Sequence, residues 1–522
     1  MLHSKSMILL LKIFLMFSSV LLVRCFFCLK IQGRILILFF LFFQISVFSQ
    51  SLKHNEIIDQ QNNLLFIESV NAEIDSVQAV LTSFFYTYDN SKKDSLNLAN
   101  LHAFIFKSFS DFSDFNQGHL KRINNRISLK KTISGNDIQY LNKSFNIFLC
   151  YNNLYDFMIL KFDKILKVNN VNFIRNYKLM AMLRRLYFFN LNYDTLIENK
   201  KIRRIFNIKD IAYTSKRNRL KKLSKKLLGR MYYNDIKKHI RLTNNADYFV
   251  LDKKTHKSID EKKYNKSKFK RDYRKLRYLY SQDALFNTTR FVTQNLSGVF
   301  GNFIGMFHFR KGYLYQNDSV INVVKKKLKP MDILLEKTEF CLTDKFIPGY
   351  FGHVAIWLGT ASELKQMGLW NSPFIKLYHN QILAGNCILE TNRSGTHLTN
   401  LSDFMNVDAV AIVAYKDFDK MTPLLQKQMY QNAFSQLGKS YDFNFDVENS
   451  KNLFCSELIY LTFGNVDWQV HEKFNRFTIL PDDIMHTLKQ KNTPLYFSLY
   501  IKANKDRQPI DESTKFAEMM NE

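Results

Sequence analysis

The chain of 522 residues changes its hydrophobic pattern near residues 323–330, and this change constrains its fold more than any other feature. Before that basic stretch, apolar residues recur every three or four positions, as in 69–88 and 138–168, which is typical of packed helices. After it, short apolar runs alternate with helical segments. Glycine (16) and proline (7) are scarce, which excludes collagen-like and low-complexity chains. We therefore expect an α+β protein, in which a mainly α-helical N-terminal region precedes a mixed domain.

The charge is divided at the same place. The chain has a net charge of +29, but residues 331–522 hold 18 basic and 23 acidic residues, so the preceding part carries +34. Residues 201–280 alone contain 27 basic and 7 acidic residues. Such a stretch indicates either a surface for an anionic partner or the solvated faces of helices.

Two apolar runs, 7–23 and 35–48, open the chain. The second has 14 residues, fewer than the roughly 20 that span a bilayer, and it follows Lys30 and Arg34 as the apolar part of a secretion signal does. We therefore predict export to the periplasm or cell envelope, with cleavage near 47–50. The first run does not fit a single signal peptide. Either translation starts downstream of Met1, or the two runs form a membrane hairpin, so 1–50 is a signal peptide or a membrane segment.

Export changes the partner expected for the basic region, residues 51–320. The anions outside the cytoplasm are lipid phosphates and cell-wall carboxylates rather than nucleic acid. Each Lys or Arg near an anionic membrane surface contributes about 1 kcal/mol to binding. We therefore predict that 201–280 faces an anionic membrane or wall surface, and we expect no nucleic acid partner.

Residues 321–505 have the pattern of an α+β domain, followed by a tail at 506–522. A helix is predicted at 422–437, where Thr422 is its N-cap, Pro423 lies in its first turn and Gly438 ends it. The predicted strands are 331–336, 353–359, 386–391, 408–415 and 495–501.

Cys455 begins a short apolar helical pattern and is the candidate nucleophile. A cysteine in a first helical turn lies near unsatisfied N–H groups and the positive end of the helix dipole, both of which lower the pKa of a thiol. Asn449, Ser450 and Asn452 are candidate N-caps for this helix. The alternative is a buried structural cysteine.

His353 and Glu390 are polar residues in otherwise apolar strands. His353 starts one predicted strand and Glu390 lies near the end of another. A thiolate nucleophile needs a base that takes its proton, and the base needs a third group that orients it. Cys455, His353 and Glu390 would supply these three roles.

Five segments of the C-terminal domain resemble the YiiX/YebB-like permuted NlpC/P60 cysteine hydrolases. They are 328–335, 352–359, 388–390, 437–442 and 454–460. Their order is distinctive, because His353 precedes Cys455, whereas cysteine precedes histidine in unpermuted relatives. The resemblance implies a circularly permuted papain-like fold, with Cys455 as nucleophile, His353 as base and Glu390 as the orienting group. It covers about the last 190 residues.

Other residues are weaker candidates. Tyr441 matches a tyrosine that recurs in the family and is expected either to donate to an oxyanion and shape the pocket or to pack as an ordinary core residue. Glu457 is expected to be structural, because a second carboxylate near a thiolate would raise the pKa of the thiol. Cys341 and Cys387 do not begin a helix. Four histidines without metal-ligand spacing are expected to be surface or core residues, and neither a metal nor a cofactor is predicted: His379, His397, His471 and His486.

The sequence thus predicts an exported thiol hydrolase that cleaves amide bonds in cell-wall-type peptides. Two alternatives remain at this point. One is a lipid acyl hydrolase or acyltransferase of the same fold at an anionic membrane surface. The other is a non-catalytic module that binds the envelope.

Overall fold

The structure, a computed structural model, describes residues 66–75, 77–82, 85, 92–168, 172–242, 266–305, 310–339, 349–447, 451–473, 476–514 and 516. The two apolar runs and Cys341 lie outside these ranges. The chain divides into two compact units, Met1–Glu68 and Ser69–Glu522. No helix within the described ranges is long and apolar enough to cross a membrane. The expected boundaries at 50, 320 and 505 stay predictions.

The part of the basic region that the structure describes is helical, as the spacing of its apolar residues predicts. Residues 66–75 and 77–82 are helical. The helices that follow are α1 Lys92–Ser128, α2 Gly135–Val168, α3 Asn172–Leu191, α4 Lys200–Ile205, α5 Arg219–Leu227, α6 Arg230–Leu242, α7 Lys266–Gly305 and α8 Asp318–Lys327.

Aromatic side chains hold α1, α2 and α3 together. The ring of Phe109 on α1 stacks on Tyr151 of α2 at 4.4 Å and on Phe188 of α3 at 3.8 Å between centroids. All three side chains are almost fully buried. Each such side chain removes 150–250 Å² from water, and aromatic pairs add roughly 0.5–1.5 kcal/mol. The 3.6-residue period of the sequence therefore reports a true helical core.

Some of the basic residues of this region lie inside it. Arg185 is 1% exposed and pairs with Asp156, and Lys178 is 2% exposed and pairs with Asp163 and Asp235. Buried cations must be paired, because an unpaired buried charge loses its hydration without compensation. The positive charge of the region is therefore partly internal rather than entirely a solvated face.

The C-terminal domain is built on a seven-stranded antiparallel sheet in the order β4-β3-β2-β1-β5-β8-β9. Its strand β5 is buried along its whole length. The strands are β1 Asp332–Lys337, β2 His353–Trp357, β3 Ile388–Asn392, β4 Gly395–Thr399, β5 Ala409–Tyr415, β6 His471–Lys473, β7 Arg476–Thr478, β8 Leu495–Ala503 and β9 Pro509–Asp511. Strands β6 and β7 form a separate hairpin. The helices are α9 Ala361–Gln366, α10 Pro373–Lys376, α11 His379–Leu383, α12 Leu401–Phe404, α13 Pro423–Phe434, α14 Cys455–Thr462 and α15 Pro481–Leu488.

All five predicted strands form, as β1, β2, β3, β5 and β8, with ends shifted by up to two residues. Strand β4 was not predicted, because its five residues include one large apolar side chain, Leu398, and form no apolar run. The predicted helix at 422–437 forms as α13, and the Thr422 side chain accepts a hydrogen bond from the amide of Leu425. The helix ends at Phe434 with Ser435 as its C-cap, so the predicted end at Gly438 is wrong; Gly438, with φ +80°, lies in the turn that follows.

The N-cap predicted for the Cys455 helix is wrong. The structure places Phe454 at that position, in extended conformation and without a side-chain cap. Asn452 is buried two residues earlier in the chain. Asn449 and Ser450 lie outside the described residues. The Phe454 side chain cannot accept a hydrogen bond, so the N-cap residue itself does not satisfy the first N–H groups of α14.

Candidate active site

One face of the sheet carries a row of polar residues across four strands. His353 on β2 lies opposite Glu336 on β1, and Glu390 on β3 lies opposite Ala355 of β2. His397 on β4 lies opposite Glu390. Residues directly opposite each other in an antiparallel pair share a face, and so do residues two apart on one strand. The register therefore brings two histidines and two carboxylates together.

Glu390 accepts hydrogen bonds from both histidines. The Nε2 atom of His353 lies 2.9 Å from Glu390 Oε2, and the Nε2 atom of His397 lies 3.2 Å from Glu390 Oε1. The side chains of His353 and Glu390 are 15% and 12% exposed, whereas that of His397 is 40% exposed. Glu390 therefore orients the His353 ring.

Cys455 begins α14, which packs on β2 and presents the thiol to His353. His353 and the backbone of Val354 both lower the pKa of this thiol. Cys455 is 4% exposed. The structure thus brings together the three residues that the sequence singled out, from three separate elements.

The electrostatics of the site favour a thiolate and an imidazolium. Burial opposes ionisation of Cys455, but the hydrogen bond and charge of His353 lower the pKa of its thiol below the ordinary value. Burial likewise opposes the charge of His353, but Cys455, Glu336 and Glu390 together raise its pKa well above the ordinary value. A cysteine beside a protonated histidine is an activated nucleophile.

Glu390 is ionised in this environment. Although burial alone would raise it, the hydrogen bonds from His353 and His397 lower the pKa of Glu390 to about 2. The same contact with Glu390 raises the pKa of His397. A charged carboxylate that orients the histidine beside a nucleophile is the arrangement found in catalytic triads.

Tyr441 lies beside the nucleophile. Residue 441 bridges to Leu453, two positions before Cys455, and the tyrosine interacts electrostatically with the thiol. Burial, followed by the charge of Cys455, raises the pKa of Tyr441 well above its ordinary value. Its hydroxyl therefore stays protonated and can donate a hydrogen bond.

Two residues of the site were not singled out by the sequence. His397 was expected to be a surface or core residue; its side chain is 40% exposed, and it also contacts Glu390, which the sequence did not indicate. Glu336 lies opposite His353. The polar residues of 395–399 are the signal that could have identified β4 and its histidine, but five residues are too few for a reliable strand prediction.

The other candidates have different surroundings. Glu457 is fully buried, neither of its oxygens has a hydrogen-bond partner among the described residues, and burial raises the pKa of its carboxyl well above the ordinary value. Cys387 is buried and burial raises the pKa of its thiol to about 11. His379 stacks on Trp370, and His471 and His486 lie near Asp483. Among the described residues, no group of three or more potential ligands could hold a metal ion.

Residues 327–505 match the model of the permuted papain-like amidase enzymes, YaeF/YiiX, C92 family. This match confirms the YiiX-like relationship expected for the C-terminal domain, and it includes all three residues of the site, Cys455, His353 and Glu390. No curated protein and no solved structure matches the chain. The family supports a hydrolase that acts on amide bonds.

Proposed function

We propose that this protein is a thiol amidase in which Cys455 is the nucleophile, His353 is the base and acid, and Glu390 orients the histidine. The observation that carries this proposal is the placement of Cys455 at the start of α14, which packs on the His353 strand β2, together with the 2.9 Å contact of His353 Nε2 with Glu390 Oε2. It lies within the segment that matches a family of amidases. On this proposal the C-terminal domain has the circularly permuted papain-like fold of that family.

The geometry supports a two-step reaction. The Cys455 thiolate attacks the carbonyl carbon of the amide and forms a C–S bond, while the carbonyl oxygen gains negative charge. The His353 imidazolium then gives its proton to the amine nitrogen as the C–N bond breaks. A water molecule, deprotonated by His353, attacks the resulting thioester, and the C–S bond breaks to restore the thiolate.

Donors for the developing oxyanion lie at the start of α14. The first N–H groups of a helix lack partners within it and point toward its N-terminal end. Tyr441, whose hydroxyl stays protonated beside Cys455, is a second donor. Removal of one oxyanion donor from a hydrolase typically lowers kcat by about 10²–10³-fold.

We propose further that the enzyme is exported and acts on cell-wall-type peptides. The basic residues that precede each apolar run near the N-terminus support export. Ten lysines and arginines in 201–242 are exposed, whereas neither acid of this stretch is. Such a surface suits a partner rich in carboxylates or phosphates, such as the cell wall or an anionic membrane.

A thiol probe tests the catalytic assignment. Wild type should be labelled at Cys455, whereas Cys455→Ala and His353→Ala should lose labelling. Cys387→Ala is the matched control, because it removes a buried cysteine of the same domain whose pKa is raised, and it should label as wild type does. Equal labelling of wild type and Cys455→Ala would refute the assignment.

The substrate class needs a separate assay. Purified protein would be incubated with wall-peptide fragments and, in parallel, with anionic phospholipid vesicles. Release of amines from the peptides supports the proposal. Release of fatty acid from the vesicles alone would support the lipid acyl hydrolase instead.

A further inference from the structure

The segment 438–446 connects three parts of the candidate active site. On one side, the Gly438 amide donates to Thr396 O, and the Thr396 amide donates to Lys439 O, which ties the segment to β4. On the other side, the Leu453 amide donates to Ser440 O, two residues before the nucleophile. The position of this segment therefore affects β4, Tyr441 and the start of α14 together.

A buried ion pair fixes this segment to the helical region. The Nζ atom of Lys439 lies 2.9 Å from Asp210 Oδ1, and the two side chains are 0% and 3% exposed. Asp210 lies between α4 and α5, more than 200 positions before Lys439 in the chain. Removal of one partner of a buried pair is strongly destabilising, because it leaves an uncompensated charge. The pair therefore holds the two regions in one arrangement.

A second ion pair joins the helical region to the same segment, with the charges reversed. Arg290 of α7 donates from Nη1 to Asp446 Oδ2 at 3.1 Å, and their side chains are 17% and 10% exposed. Here the helical region supplies the cation, whereas at Lys439 it supplies the anion. Because the charges are reversed between the two pairs, they fix the position of the segment on the helical region better than either pair alone.

The far end of α14 is held by α2. The Tyr460 hydroxyl donates to Ile133 O at 2.7 Å, and Gln139 Nε2 donates to Leu461 O at 2.9 Å. A Cβ atom at Gly135 would lie 2.3 Å from Tyr460 O, a distance that real Cβ atoms do not show. Only glycine therefore permits this approach of α2 to the nucleophile helix.

We infer that the helical region is a structural part of the active site, and that Asp210 is a positioning residue for Cys455. The region holds α14 at its far end through α2, and it holds the segment that precedes α14 through Asp210 and Arg290. This inference deepens the proposed function and rests on it in one respect, that Cys455 is the nucleophile. The basic region then has a second role besides contact with an anionic surface.

Asp210→Asn tests the inference in the full chain. Asparagine keeps an oxygen that can accept from the Ala212 amide, as Asp210 does, and removes only the charge that pairs with Lys439. The readout is the rate of Cys455 alkylation by iodoacetamide as a function of pH, located by peptide mass spectrometry. Because small displacements of reacting groups can lower rates by about 10²-fold, we expect a fall of about 10- to 100-fold.

Asp156→Asn is the matched control. Asp156 also lies in the helical region and pairs with a buried cation, Arg185, but along α2 it is about 30 Å from Gly135. Its loss should lower the thermal unfolding midpoint and leave the rate and pH profile of Cys455 alkylation as in wild type. Arg290→Gln is a second test variant at a less buried pair, in case Asp210→Asn fails to fold.

Failure of this inference and failure of the proposed function give different alkylation results. Slower alkylation or a shifted pH profile in Asp210→Asn or Arg290→Gln, relative to Asp156→Asn, supports the inference. A wild-type rate and profile in the folded test variants would overturn it, and so would an equal change in the control. If His353→Ala also reacts as wild type does, the proposed function fails instead.

Discussion

Replacement of Glu390 by glutamine tests the electrostatic account of the site. Glutamine has nearly the same shape and can still accept a hydrogen bond from His353 or His397, but it carries no charge. Both contacts of Glu390 are made by histidine Nε2 atoms, at 2.9 and 3.2 Å. The substitution therefore removes the charge and leaves the packing nearly unchanged.

The structure gives the expected magnitude. The pKa of Glu390 falls from 4.5 to about 2, which corresponds to about 3 kcal/mol in favour of the ionised form. Two histidines share this stabilisation, so His353 accounts for about 1–2 kcal/mol of it. Loss of the carboxylate should therefore lower the pKa of His353. If the imidazolium is the acid that releases the amine, activity should fall about tenfold.

A pair of alkylating reagents measures the charge of His353 without a substrate. Iodoacetate is anionic and iodoacetamide is neutral, so the ratio of their rates with Cys455 falls when the neighbouring imidazolium loses its proton. In wild type the midpoint of this fall should lie well above pH 6.5, because the pKa of His353 is raised. In Glu390→Gln it should lie at a lower pH than in wild type, because one of the groups that raise the pKa of His353 is lost.

The control is Glu363→Gln. Glu363 lies in the same domain, where it forms the capping box of α9 with Thr360. This variant should keep the wild-type midpoint. An unchanged midpoint in Glu390→Gln, or an equal shift in both variants, would refute the reasoning.

Three further predictions follow from the same contacts. His397→Gln removes a cation that competes for Glu390, so the pH midpoint of the iodoacetate-to-iodoacetamide rate ratio should stay or rise, opposite to Glu390→Gln. A fall of this midpoint would contradict the prediction. Because the folded pKa of Glu390 is depressed, its stabilisation is complete above pH 4.5 and is lost as pH falls toward 2. Urea unfolding at pH 5 and pH 3 should therefore show a smaller loss of stability in Glu390→Gln than in wild type, and equal losses would speak against the ionised carboxylate. Burial raises the pKa of Glu457, so folding disfavours its ionisation as pH rises above 4.5; Glu457→Gln should raise the thermal midpoint more at pH 8 than at pH 5, and a pH-independent effect would contradict this.

Local sequence patterns predicted much of the fold. The strands β1, β2, β3, β5 and β8 form where apolar residues run in short blocks, because buried strands must be apolar. Thr422 and Pro423 start α13 as expected, since a threonine oxygen and a proline both suit a helix start. Strand β4 was missed because its stability comes from pairing with β3, which a five-residue pattern does not record.

The site was predictable where one residue breaks an apolar pattern. Cys455 and His353 each begin an element, and Glu390 is a lone carboxylate in an otherwise mostly apolar strand, so the sequence indicated all three. His397 was not predictable in the same way, because its role depends on the register between β3 and β4. The ion pair of Asp210 and Lys439 depends on contact between residues far apart in the chain, and no local pattern encodes it.

The most direct test of the central claim is detection of an acyl group on Cys455. Purified wild type would be mixed with an amide substrate from the wall-peptide assay, quenched with acid, and analysed by mass spectrometry of its peptides. The account predicts a transient acyl adduct on Cys455, with amine release that stops in Cys455→Ala and continues in Cys387→Ala. Amine release by Cys455→Ala at the wild-type rate would contradict it.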